Sequence, residues 1–101
     1  MALLMQLTAL AEEYPSAVNA GLEILLKRAQ ENAPVRTGEL RDSGHIDGDA
    51  VVFSAGHARF VEFGTSRMAA RPFLRRAIDE NQNEILQAMA DEVNAEMARR
   101  T

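Results

Sequence analysis

Apolar positions along the chain change their spacing twice, from helical to strand-like and back. Near the N-terminus, Leu3, Leu7, Leu10 and Ala11 keep helical steps up to Tyr14-Pro15. A second pattern follows at once. Val18, Leu22, Leu25, Leu26, Ala29 and Ala33 recur three or four apart, with Asn19, Glu23, Lys27 and Gln30 on the other side, predicting an amphipathic helix that Pro34 ends. Pro15 suits a helical first turn, so the two patterns form either one bent helix or two.

In the middle, Asp47-Gly48-Asp49 lies between His45-Ile46 and Val51-Val52-Phe53, which predicts a hairpin. After Ser54-Ala55-Gly56, the run Ala58 to Phe63 reads as a third strand closed by Gly64 and Thr65. By strand alternation Glu62 points away from Val61 and Phe63, towards solvent or an arginine such as Arg41 or Arg71. The last pattern starts near Pro72 and carries Phe73, Leu74, Ala77, Ile78, Ile85, Met89, Val93 and Met97 at helical spacing. It predicts a helix of about 28 residues, about 40 Å long, so part of it projects or meets a neighbour. The predicted fold is α+β in a single domain, 1–101: an N-terminal helical segment, a short antiparallel three-stranded meander and a long C-terminal helix. Phe73 and Leu74 are expected to anchor that helix on the sheet, over Phe60 or over Val61 and Phe63.

Composition narrows the function. With 47% apolar residues, the chain can build a core, but four Phe, one Tyr and no Trp make that core mostly aliphatic. Modest stability is expected for the free protein; a melting midpoint above ~90 °C, the hyperstable range, would contradict this. With no cysteine, disulfides, thiolate catalysis and Cys-based zinc sites are excluded. Met1 to Met5 lacks a basic flank and is soon interrupted by Gln6 and Thr8, so no signal peptide is expected. No apolar run approaches the ~20 residues of a membrane span, and no membrane partner is expected.

The net charge of −4 is unevenly spread. From His57 to Arg76, five arginines (Arg59, Arg67, Arg71, Arg75 and Arg76) face one acid, Glu62, giving +4 and leaving −8 elsewhere. Such segregation favours docking between opposite surfaces. Solvated surface and contact with DNA phosphates are the other readings, although a DNA binder is usually basic overall and no aromatic stacking platform accompanies these arginines.

Catalytic chemistry finds little footing. His45, Asp47, Asp49, His57 and Glu62 are the metal donors closest in sequence, but the helical His pair of zincins is missing, and the two aspartates belong to the predicted turn. Neither Ser43 nor Ser54 sits in a nucleophile elbow. Gly44, Gly48, Gly56 and Gly64 stand singly, without a phosphate-binding loop. No enzyme activity and no cofactor are expected.

Two stretches carry a resemblance. Ala33-Pro34-Val35-Arg36-Thr37-Gly38-Glu39-Leu40-Arg41-Asp42-Ser43 resembles a signature of the small neck or tail-completion proteins of long-tailed double-stranded DNA bacteriophages. Ala58 to Thr65, with Glu62-Phe63-Gly64-Thr65, followed by Met68-Ala69-Ala70-Arg71-Pro72-Phe73-Leu74-Arg75-Arg76-Ala77, is similar to that family's second block. His57 replaces an aromatic and Arg76 a proline. The resemblance implies a non-catalytic virion protein, assembled in the host cytoplasm, that forms a ring with copies of itself at the head–tail neck. It would complete the tail or join it to the head connector, meeting connector and tail-tube or tail-terminator proteins, with packaged DNA as a further lumen contact. Motif residues Pro34, Thr37, Gly38, Leu40, Glu62, Gly64, Thr65, Pro72 and Phe73 are expected to be structural, Thr37 bonding local amides and Gly38 allowing a tight turn. For a head-to-tail ring interface, the candidates are Arg59, Arg67, Arg71, Arg75 and Arg76 of one copy against Glu84, Asp91 and Glu92 of the next. The alternative is a small nucleic-acid-binding regulatory module using Arg59–Arg76, recognisable by a steep salt dependence.

Overall fold

The computed structural model describes residues 3–6, 14–34 and 38–100. In chain order the elements are β1 (Leu3–Gln6), α1 (Pro15–Asn32), α2 (Glu39–Asp42), β2 (Gly44–Asp47), β3 (Ala50–Phe53), α3 (Ala58–Phe63), α4 (Phe73–Glu80) and α5 (Gln82–Arg100). The fold is α+β.

Helix α1 starts where Pro15 occupies the first turn, its missing N–H costing nothing there. It stops at Asn32, because Pro34 holds Ala33 in extended conformation (φ −63°, ψ 132°). The face formed by Ala17, Val18, Leu22, Leu25 and Ala29 is buried and matches the apolar stripe of the sequence.

Strands β2 and β3 form the hairpin expected around Asp47-Gly48-Asp49, with His45 opposite Val52 and Ile46 opposite Val51. The meander does not continue. Residues 58–63 form α3 instead of a third strand, and β1 pairs with the other edge of β3, Leu3 opposite Phe53, in the order β1-β3-β2. Leu3–Gln6 is thus extended rather than helical: it satisfies the backbone groups that β3 would otherwise leave unpaired on that side. Leu7, Leu10 and Ala11 lie outside the described residues.

The helix in 58–63 turns Ala58 and Glu62, one helical turn apart, into the interior, where both are buried, without carrying Phe60 in with them as a strand would. Phe60 and Phe63 are left exposed. They do not underlie Phe73, whose ring meets Phe53 edge-on at 4.9 Å and 79°. That contact joins the hairpin to α4 and sits in one core with Leu22, Leu25, Leu40, Val51, Leu74 and Ala77.

The C-terminal helical run breaks at Asn81 (φ −127°, ψ 22°). The Asn81 side chain donates to the Ala77 carbonyl at 2.9 Å, satisfying a group the helix end would leave open. Beyond the break, α5 runs antiparallel along α1: Glu84 reaches Arg28 near one end of α1, and Ser16 Oγ donates to Glu96 at 3.1 Å near the other. The last turn of α5 therefore extends past the start of α1. The body is elongated, 56 × 23 × 22 Å, with a radius of gyration of 14.8 Å against about 13 Å for a compact chain of 100 residues.

Close approach of the two helices depends on Gly21. A Cβ there would stand 2.8 Å from Cγ and Sδ of Met89 and 3.5 Å from Cγ2 of Ile85. Because the Met89 side chain is flexible and alanine gains helix propensity over glycine, Gly21→Ala is expected to change stability by less than about 1 kcal/mol. Gly21→Leu would push α5 away and cost about 1–3 kcal/mol, the usual range for overpacking. Thermal denaturation of both variants checks the contrast.

Candidate interface site

The two halves of the second motif-bearing stretch, 58–65 and 68–77, meet at one place. Glu62, only 3% exposed, lies in the last turn of α3, beneath the start of α4. Its Oε1 accepts the Leu74 N–H at 2.9 Å and its Oε2 the Arg75 N–H at 3.1 Å. Helix starts leave such N–H groups unpaired, and the residue at the N-cap, Pro72, makes no side-chain cap bond. Glu62 supplies the missing acceptors from another helix, and its negative charge suits the positive end of the α4 dipole. It pairs with neither Arg41 nor Arg71: the Arg41 guanidinium goes to Asp42 at 3.1 Å, and Arg71 is used through its backbone.

The loop between the helices is tied at several points. The Arg71 N–H donates to the Val61 carbonyl at 2.7 Å, and the Gly64 N–H to Phe60 at 2.8 Å. Thr65 and Met68 exchange backbone hydrogen bonds at 2.9 and 3.3 Å across Ser66-Arg67, and Thr65 Oγ1 accepts the Arg67 N–H at 3.2 Å. Gly64 has φ 75° and ψ 178°, a region essentially reserved for glycine.

This clamp presents side chains outward. Arg59, Arg67, Arg71, Arg75 and Arg76 are all exposed. Arg76 bonds Glu80 at 3.0 Å within its own helix, whereas no ion pair among the described residues involves Arg67, Arg71 or Arg75. Beside them lies a groove of about 490 Å³ lined by Pro34, Leu40, His57, Phe60, Val61, Thr65, Met68 and Arg71. Phe60, Phe63 and Met68 are 51%, 61% and 43% exposed. Sequence reasoning missed this apolar surface, because a strand through 58–63 would have buried half of it.

The acidic candidates are less available than charge counting implies. Glu84 pairs with Arg28 at 2.9 Å and Glu92 with Arg99 at 3.2 Å. Bonding first to Glu84 and then to Glu31 raises the Arg28 pKa above its ordinary value. Asp91 accepts from Gln87 at 2.8 Å and, like Asp79, has no cation against it among the described residues.

Other motif residues take structural places. Leu40 and Phe73 are buried, Gly38 (φ 80°) caps α2, and Thr37 lies outside the described residues. His45 Nδ1 bonds the Ser43 carbonyl at 2.9 Å, and among the described residues no three His, Asp or Glu side chains are grouped as metal ligands. No helix of the described residues is long and apolar enough to cross a membrane.

The clamp is thus made of backbone bonds and a buried capping carboxylate, with a basic and apolar rim turned outward. The model of the HK97-gp10-like family, described as bacteriophage HK97 gp10, putative tail-component, matches residues 3–64. The match spans β1 through α3 and reaches Glu62 and Gly64, and the chain belongs to this family of phage tail-related structural components. Neither a curated protein nor a solved structure matches the chain.

Proposed function

We propose that the protein is a structural component of the head–tail neck, present as a ring that completes the tail or joins it to the head connector. Membership of a phage tail-component family carries the reading. It is supported by a tied loop and helix start whose Arg67, Arg71 and Arg75 are exposed and have no ion pair among the described residues. Such a surface suits an acidic neighbour.

Electron microscopy of lysates from a phage with an early stop codon in this gene tests the role. Separate heads and tails, or tails with abnormal ends, rescued by supplying the protein, are expected. Normal infectious particles would refute it.

The arginines can be tested without disturbing the clamp, because Glu62 holds the Arg75 backbone and not its side chain. Reversing Arg67, Arg71 and Arg75 to Glu is expected to leave the melting midpoint within a few degrees and to abolish incorporation into particles. Unchanged incorporation, read by immunoblotting of purified virions, would remove these residues from the interface.

A further inference from the structure

The exposed large apolar side chains of the described residues fall on two separate surfaces. Phe60 and Met68 line the groove beside the arginine loop, and Phe63 stands exposed three residues on from Phe60 in α3. Leu86 and Met97, 62% and 52% exposed, stand on α5. With exposed Ala90 and half-buried Val93 they follow steps of four, three and four, so on a helix they form one narrow ridge. This ridge lies beside the stripe of Ile85, Met89 and Glu96 turned towards α1, and its two largest side chains, Leu86 and Met97, are uncovered among the described residues.

Resting on the ring reading above, we infer that the groove at Phe60 and Met68 receives the α5 ridge, Leu86 to Met97, of a second copy of this chain. One surface is concave and the other convex, and the two do not overlap, as a head-to-tail contact requires. Their surroundings are opposite in charge. The segment 57–76 carries +4, whereas 79–98 contains six acids and no base, and its Asp79 and Asp91 lack a cation among the described residues. Apolar anchors within a charged rim are the usual anatomy of a specific interface. The electrostatic contact alone would be weakened by salt; the buried ridge adds a part that is not.

Since the chain has no cysteine, introduced thiols report the contact cleanly. Met68→Cys and Leu86→Cys chains, supplied together to a phage lacking the gene, are expected to give a disulfide-linked dimer after mild oxidation of purified particles. Either variant alone should not. A doubly substituted chain should give a ladder of linked copies. A second pair, Phe60→Cys with Met97→Cys, guards against poor geometry at the first, and Glu23→Cys with Leu86→Cys serves as the unlinked control. Particles that contain the chain as a ring but yield no mixed dimer from either pair would overturn this interface and leave the neck reading intact. Absence of the wild-type chain from particles would overturn both.

Discussion

Replacing Glu62 by Ala is expected to lower stability by about 3 kcal/mol, a large loss for a single-residue change. The change removes both acceptors at the start of α4, leaving the Leu74 and Arg75 N–H groups (the first of them buried) without partners. An unsatisfied buried donor costs about 1–3 kcal/mol, and loss of an ordinary N-cap costs about 1 kcal/mol. In a chain of this size each kcal/mol corresponds to roughly 4–8 °C in melting midpoint, so a fall of roughly 12–24 °C is expected. Glu62→Gln keeps the shape and one acceptor oxygen, and should fall between Ala and the parent. If calorimetry places the Ala variant within about 1 kcal/mol of the parent, Glu62 does not hold α4.

Gly64→Val should be comparably damaging, for a different reason. At φ 75° and ψ 178° a side chain meets strain of about 1–3 kcal/mol. The Cβ would also lie 2.8 Å from the Ala70 nitrogen and the Met68 oxygen. Both are backbone atoms and cannot swing aside as Met89 can before Gly21, so the loop itself must move. Expected results are a total loss of about 3 kcal/mol or more and faster hydrogen exchange at Arg71 and Leu74. Even Gly64→Ala should fall in this direction, whereas Gly21→Ala should be nearly neutral. Equal protection of the Arg71 amide in the Val variant and the parent would show that the clamp tolerates a Cβ.

Much of the fold could be read from spacing, and the failures have physical causes. In α1 the apolar stripe and its bounding prolines agree, so local preference and packing point the same way. The hairpin was legible because its turn residues are distinctive. Residues 58–63 misled because a step of four places Ala58 and Glu62 on one face in a strand and in a helix alike. Only Phe60 separates the two: a strand would bury it with them, and the helix leaves it exposed. Leu3–Gln6 is too short for periodicity to choose its conformation, and its partner, β3, lies far along the chain. At the site, the basic character of 57–76 was visible in composition. The role of Glu62 was not, since its partners are backbone amides, which carry no residue-specific mark. The pairing of Glu84 was not visible in spacing, because Arg28 comes near it only through the antiparallel packing of α1 and α5, and Glu92 meets Arg99 seven residues on in its own helix.

Fixing nine residues, 64–72, between two short helices has a thermodynamic consequence for recognition. Confining a backbone costs on the order of 1–2 kcal/mol per residue, so a floppy loop of this length would forfeit on the order of 10 kcal/mol on binding. Here that entropy is lost when the chain folds, and any partner meets a surface already in its final shape. Tight association can then arise from a modest contact area, and its rate is set by diffusion and charge instead of by a search through loop conformations.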